Sequence, residues 1–228
     1  MFPIPIKVTQ PSYSRPVVTV LLIVTNILIF LHQFWLQISE PYSFHRFMAL
    51  YSLRPAYFHW ENVFTSMFLH AGWIHVLGNM LFLWVFGDNV EDILGHGKFL
   101  LFYLLCGMLA AMTQVMIDPS STVPIVGASG AIAGVMGAYL VKFPHSNVKM
   151  VAWFILIFSF DLPAWLLLIY WFAMQLFGGY GSLGEAAQGA SQGGTAFFAH
   201  IGGFIMGIIL IFLMGTHQRY WRRKDLSW

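Results

Sequence analysis

Long stretches without a formal charge dominate this sequence. Residues 17–38, for example, are 22 consecutive residues without Asp, Glu, Lys or Arg. As an α-helix rising ~1.5 Å per residue, a stretch of this length reaches across the ~30 Å hydrocarbon core of a bilayer. The pattern therefore predicts helices that cross a membrane.

Five such stretches are uninterrupted, and a sixth apolar stretch is broken by Asp161 and Pro163. We interpret residues 150–160 as an interfacial lead-in, because 11 residues are too few to span, and residues 162–177 as the fifth span. The Gly-, Ser- and Gln-rich residues 178–194 are predicted to form an outer loop. The six predicted spans are residues 17–38, 63–86, 99–117, 123–141, 162–177 and 195–215.

Composition supports this reading. Only 9% of the residues are charged and 58% are apolar, whereas soluble domains carry roughly 25% charge. A soluble enzyme and a disordered chain are therefore excluded, and the net charge of +2 is too small to indicate a nucleic-acid partner. The single cysteine, Cys106, excludes an internal disulfide framework. The predicted fold class is an all-α polytopic membrane protein with a bundle of six transmembrane helices.

The distribution of basic residues predicts the orientation. With six spans and both termini on one side, that side collects nine of the 11 Lys and Arg residues, leaving Arg46 and Arg54 opposite. The positive-inside rule then puts both termini in the cytoplasm. We divide the chain into a cytoplasmic N-terminal segment (1–16), a six-span domain (17–215) and a basic cytoplasmic tail (216–228). The nine residues are Lys7, Arg15, Lys98, Lys142, Lys149, Arg219, Arg222, Arg223 and Lys224.

Polar residues inside apolar spans point to function, because placing them in hydrocarbon costs free energy. His75 and Asn79 are four residues apart and so share one face of a helix. Such a pair can simply join helices by a hydrogen bond, and this alternative stays open from the spacing alone. The polar residues that stand out are His70, His75 and Asn79 in span two, Ser129 in span four and His200 in span six.

Small residues in two spans suggest that Ser129 and His200 meet. Gly130, Gly134 and Ala138 recur every four residues in span four, as do Ala199, Gly203 and Gly207 in span six. Such faces let membrane helices approach closely. If they pack together, a hydroxyl lies beside an imidazole, the arrangement of a nucleophile and its base.

The position of Ser129 at the beginning of a helical run has a further consequence. Free backbone N–H groups of a first helical turn favour developing negative charge, which suits an oxyanion. His75 and Asn79 could add side-chain donors. Because no span supplies a carboxylate for a triad, the residues favour a Ser-His dyad.

The combined motifs resemble those of the rhomboid intramembrane serine proteases. The residues concerned are His70, His75-x-x-x-Asn79, Glu91, Gly95, Gly127-Ala128-Ser129-Gly130 and the run from Gly194 to Gly203 that contains His200. The likeness extends over about residues 46–215. It implies a six-helix bundle with Ser129 as nucleophile, His200 as general base, and His75, Asn79 and the Ser129 amide binding the oxyanion.

The resemblance also implies the partners. Substrates would be transmembrane proteins that enter from the lipid and are cut near the extracytoplasmic side, with membrane lipids around the bundle and no cofactor. A multi-pass protein of a bacterial plasma membrane is expected, because six bare spans lack a seventh helix or a transit-like leader.

The sequence leaves three alternative functions. His70, His75 and His200 could be zinc ligands, but no H-E-x-x-H motif is present and a carboxylate base is missing. A catalytically inactive rhomboid-like protein that binds membrane helices, or a small transporter, would use the same polar cavity. Glu91 is predicted to be a structural hydrogen-bond anchor rather than a catalytic acid.

Overall fold

The computed structural model describes residues 3–153, 157–187 and 196–215. Within these residues there are eight α-helices and three β-strands. The helices are α1 (Val17–Ser39), α2 (Pro41–Tyr51), α3 (Trp60–Thr65), α4 (Trp73–Leu94), α5 (His96–Ile117), α6 (Ser129–Lys142), α7 (Ala164–Ala187) and α8 (Phe197–Met214). The strands are β1 (Ile4–Val8), β2 (Asn147–Trp153) and β3 (Ile157–Pro163).

The helices form the bundle of an integral membrane protein, which confirms the predicted fold class. In the described residues, α1, α5, α7 and α8 are long and apolar enough to cross a membrane, and a bent pair of helical segments is a fifth candidate. Large side chains such as Leu28, Ile74 and Phe177 point outward, as expected beside lipid tails. The sixth helix, α6, has only 14 residues, so the count of six spans is not confirmed by length.

The second span was predicted at residues 63–86, and both of its predicted ends are wrong. A break at residues 69–72 divides this region into Trp60–Phe68 and Trp73–Leu94, which are bent by 89° relative to each other. α4 then continues past Asp88 to Leu94. The charge-free criterion ended the predicted span before Asp88, the first acidic residue after its start. Later acids remain within α4 because they are hydrogen-bonded: Glu91 accepts N–H groups at the start of α1, and Asp92 accepts the Tyr13 N–H of the N-terminal segment.

The fourth predicted span, residues 123–141, begins too early. Residues 123–128 are not helical, and α6 begins at Ser129. Ile125 forms an isolated bridge with Leu53, and the Gly127 N–H donates to the carbonyl of Ser66 at 2.9 Å. Gly127 has a φ of +123°, which glycine adopts far more readily than other residues. Together these contacts fix the chain just before Ser129.

Residues 150–153 and 157–160, which belong to the predicted interfacial lead-in at 150–160, are part of a three-stranded antiparallel sheet. β2 lies between β1 and β3, and Lys149 is opposite both Lys7 and Asp161. Val148 and Met150 are buried while Lys149 is exposed, the two-residue alternation of a strand with one buried face. The N-terminal segment therefore contributes a strand to the fold.

The fifth predicted span, residues 162–177, corresponds to a longer helix. α7 begins directly after Pro163 and continues to Ala187, so residues 178–187 are helical and not part of an outer loop. The remainder of that predicted loop, Thr195 of span six and the predicted basic tail all lie outside the described residues.

The core of the bundle is α6. Every residue from Gly130 to Tyr139 is buried, and α6 packs against α4, α5 and α8. Ser129 is the first residue of this enclosed helix, so its position is set by three neighbouring helices.

Candidate active site

Ser129 and His200 are hydrogen-bonded in the structure. The Ser129 Oγ lies 2.7 Å from the Nε2 of His200, although the two residues are 71 positions apart. Ser129 begins α6, and His200 is in the first turn of α8. A hydroxyl and an imidazole at this distance have the geometry needed for proton transfer.

Close packing of α6 against α8 holds the two residues together. A methyl group added at Gly203 would overlap the carbonyl oxygen of Gly130, and one added at Gly207 would overlap that of Gly134. The predicted contact between the two small-residue faces is therefore confirmed. The glycines bring the backbones close enough for two short side chains to meet.

His75 and Asn79 lie on α4 beside the segment that precedes Ser129. A methyl group added at Gly127 would be 2.8 Å from the His75 Nε2 and 3.6 Å from the Asn79 Nδ2. Both side chains therefore border the backbone two residues before Ser129, on one face of α4. The four residues predicted from the sequence are thus brought to one end of the bundle.

The hydrogen bonds of His75 define which of its nitrogens carries the proton. The Ala71 N–H donates to the His75 Nδ1 at 3.3 Å, so in the neutral ring the proton is on Nε2. The side-chain amide of Asn79 is buried, and its Nδ2 has no hydrogen-bond partner in the described part of the chain. Two N–H donors are therefore available near Gly127.

Two residues of α7 also contact His200, and the sequence reasoning missed both. The Gln175 Oε1 lies 2.8 Å from the His200 Nδ1, and the ring of Trp171 is 5.8 Å from the imidazole, centroid to centroid. Gln175 is an amide within the predicted fifth span. The polarity criterion used for the other spans could therefore have found it.

His70 is buried in the break before α4, with 2% of its surface exposed. Gln33 of α1 holds its backbone, accepting from the His70 N–H at 3.1 Å and donating to its carbonyl at 3.2 Å. The His70 and His75 rings are 5.1 Å apart. Across residues 3–153, 157–187 and 196–215, no three His, Cys, Asp or Glu side chains are grouped to hold a metal ion, so the zinc alternative gains no geometric support.

Glu91 lies away from these residues and is fully buried. Its carboxylate accepts the Val18 and Thr19 N–H groups, both at 2.8 Å, and the Thr19 hydroxyl at 2.7 Å. The His96 Nδ1 is 2.6 Å from the same carboxylate. Glu91 therefore anchors the start of α1 to the end of α4, which is the structural role predicted for it.

Comparison with known proteins connects this arrangement to one family. The Rhomboid domain model matches residues 57–217. The chain is 41% identical over 91 residues to rhomboid protease GluP of Bacillus subtilis (strain 168), covering 40% of this chain and 17% of that protein. It is 30% identical over 152 residues to the mitochondrial Rhomboid protein 1 of Saccharomyces cerevisiae, covering 65% and 40% of the two chains.

A third relative extends over more of the chain. The chloroplastic Rhomboid-like protein 11 of Arabidopsis thaliana is 28% identical over 202 residues, which is 85% of this chain and 64% of that protein. In each case less than two thirds of the relative's length is matched. Since the domain match covers most of the bundle and includes both Ser129 and His200, the chain belongs to the rhomboid family of integral membrane proteins.

Proposed function

We propose that this protein is an intramembrane serine endopeptidase that cleaves transmembrane proteins with a Ser129–His200 dyad. The observation that carries the proposal is the 2.7 Å contact between the Ser129 Oγ and the His200 Nε2. A serine hydroxyl is a weak nucleophile, and an adjacent imidazole that takes its proton is the usual means of activating it.

The first chemical step forms the acyl-enzyme. The His200 Nε2 takes the Ser129 hydroxyl proton while Oγ attacks the peptide carbonyl, and the carbonyl electron pair moves to oxygen. When the tetrahedral intermediate collapses, the C–N bond breaks and His200 gives the proton to the leaving amine. A water molecule, deprotonated by His200, then attacks the ester, and Ser129 recovers its proton when the acid product leaves.

Three donors would stabilise the oxyanion. The His75 Nε2–H and the Asn79 Nδ2–H lie beside Gly127, and the Ser129 N–H is in the first turn of α6, where it has no acceptor within the helix. Donors placed in advance around a developing charge contribute most in a site that excludes bulk water. In this proposal the protein's own side chains supply the chemistry, without a cofactor.

The surroundings of the site support a substrate taken from the bilayer. α4 and α7 present large apolar side chains outward, so a transmembrane helix can approach through lipid. The charge distribution favours cytoplasmic termini and a site near the extracytoplasmic face. A bacterial plasma membrane stays a prediction, because named relatives include mitochondrial and chloroplastic proteins.

The test is cleavage of a transmembrane model substrate by the purified full chain in proteoliposomes. We expect Ser129→Ala and His200→Ala each to lower kcat by more than ~10³-fold, as for other serine proteases that lose a member of the nucleophile–base pair. Ser120→Ala and His145→Ala are matched controls, since both residues are exposed and outside the site. Wild-type cleavage by either dyad variant would refute the proposal.

A second measurement tests the nucleophile directly. A fluorophosphonate reacts with an activated serine, so the wild-type chain should be labelled and Ser129→Ala should not. Because this reaction needs no peptide substrate, it also distinguishes two reasons for a lack of cleavage. A catalytically inactive protein would not be labelled, whereas a protease tested with an unsuitable model substrate would be.

A further inference from the structure

His200 has a polar partner on the side away from Ser129. Gln175 is 9% exposed, and its Oε1 is 2.8 Å from the His200 Nδ1. We infer that Gln175 is a positioning residue, which holds His200 in the tautomer and ring orientation that a general base for Ser129 requires. This inference rests on the proposed function.

The orientation of the Gln175 amide is defined by its other end. Its Nε2 donates to the backbone carbonyl of Trp171 at 3.3 Å. A carbonyl oxygen can only accept, so the nitrogen of the amide must face Trp171 and the oxygen must face His200. Rotating the amide by half a turn would bring two oxygens together.

The orientation of the amide selects the tautomer of the imidazole. Because the Gln175 Oε1 can only accept, the neutral ring must carry its proton on Nδ1. The Nε2 lone pair is then directed at the Ser129 hydroxyl, as a base requires. In the other tautomer, Nε2–H would donate to the Ser129 Oγ, while the Nδ1 lone pair would face the Gln175 oxygen.

α7 also contacts the imidazole through Trp171. This indole is 5.8 Å from the His200 ring, with an angle of 39° between the planes, and it lies one helical turn before Gln175. The same turn of α7 therefore contacts the face of the imidazole and its Nδ1. Because the Ser129 hydroxyl is hydrogen-bonded to Nε2, the imidazole is held at both of its nitrogens.

A neutral amide performs this role differently from a carboxylate. It fixes the tautomer without placing a formal charge among the spans, where a charge is costly. It also gives the protonated imidazole less stabilisation than a carboxylate would. Among the residues that the structure describes, His75 is the titratable group whose charge acts on His200, and every variant in the experiment keeps it.

The experiment compares three variants of the full chain in proteoliposomes, across a range of pH. Gln175→Met keeps the size of the side chain but removes the acceptor, and we expect kcat to fall by ~10- to 10²-fold with KM unchanged, the range seen when a metal-binding histidine loses the group that orients it. Gln175→Glu restores the acceptor and adds charge. Its kcat should exceed that of the methionine variant, and the acid limb of its pH profile should move to higher pH.

Gln114→Met is the matched control. Its Oε1 accepts the Ala199 N–H at 3.2 Å, so it supports the same turn of α8 without touching the imidazole. We expect this variant to keep the wild-type kcat and acid limb. The inference is overturned if Gln114→Met loses as much kcat as Gln175→Met, if Gln175→Met is as active as the wild type, or if the glutamate variant leaves the acid limb in place.

A spectroscopic readout separates this inference from the proposed function. In protein labelled with 15N-histidine, the His200 signals can be assigned by their absence from His200→Ala. The wild type should show a protonated Nδ1 and an unprotonated Nε2, and Gln175→Met should show a mixture of tautomers. A protonated Nε2 in the wild type overturns the positioning role even if cleavage occurs, whereas the predicted pattern supports it even if none does.

Discussion

His75 and His200 differ in which ring nitrogen carries the proton, and in each residue the hydrogen-bond partner of Nδ1 determines the tautomer. The Ala71 N–H donates to the Nδ1 of His75, leaving Nε2–H as a donor. The Gln175 oxygen faces the Nδ1 of His200, leaving Nε2 as an acceptor in the arrangement inferred above. One residue type can therefore serve as an oxyanion donor on α4 and as a base on α8.

Asn79 allows the oxyanion proposal to be tested at a single side chain. We expect Asn79→Leu to lower kcat by ~10²- to 10³-fold, the usual cost of losing one oxyanion donor, with little change in KM. The measurement is cleavage of the model substrate in proteoliposomes. Asn26→Leu is the control, because Asn26 is also buried but donates to Leu22 within its own helix; an equal loss in both variants would contradict the proposed role of Asn79.

The sequence predicted the principal side chains of the candidate site but not their supports. Ser129, His200, His75 and Asn79 could be selected from their spacing, from the small-residue faces of spans four and six, and from the resemblance to the rhomboid motifs. Gln175 and Gln33 act through hydrogen bonds to partners 25 and 37 positions away. No local pattern indicates which distant helix will face an amide, so these contacts depend on the packing of the whole bundle.

At the scale of elements, the crossing of α6 and α8 sets the distance between Ser129 and His200. The contact is made by glycines, and at Gly207 the neighbour of an added methyl group would be the backbone of Gly134. A backbone carbonyl cannot move aside as a flexible side chain can. The two helices would have to separate.

We therefore expect Gly207→Ala to lower the free energy of unfolding by ~1–3 kcal/mol, the usual cost of overpacking, and to reduce cleavage because Ser129 and His200 move apart. Gly78→Ala is the matched control, since an added methyl group there meets no atom within 4 Å. Denaturant unfolding followed by circular dichroism would measure the free energy of unfolding of both variants. Equal stability of Gly207→Ala and the wild type would mean that the helices are not in tight contact.

The elements that the sequence did not predict owe their form to distant contacts. β2 and β3 were missed because residues 150–160 are mostly apolar, and the pairing of β2 with β1 joins segments more than a hundred residues apart. The start of α6 was placed six residues early because residues 123–128 are charge-free too. The bridge from Ile125 to Leu53, the bond from the Gly127 N–H to the Ser66 carbonyl and the positive φ of Gly127 hold these residues in a non-helical path.

At the scale of the whole molecule, the candidate site and the Lys98 and Lys142 side chains lie at opposite ends of the bundle. Ser129 begins α6 and Lys142 ends it, which separates them by about 20 Å at ~1.5 Å per residue. At the lysine end, the Lys98 Nζ donates to the carbonyl of Met214 at 3.0 Å, and the Lys142 Nζ is 4.7 Å from the Phe212 ring centroid. The end that carries the lysines is the one predicted to face the cytoplasm.

This orientation can be tested with single cysteines on the two ends of α6. Thr122 is exposed in the loop before α6 and His145 is exposed in the turn after it, whereas the native Cys106 is fully buried and should give no background. With a membrane-impermeant maleimide on intact bacterial cells that express the protein, we expect Thr122→Cys to be labelled and His145→Cys to be labelled only after permeabilisation. The reverse pattern would place the Ser129 end of the bundle in the cytoplasm, and with it the proposed site of cleavage, because Thr122 and Ser129 lie on the same side of the bundle.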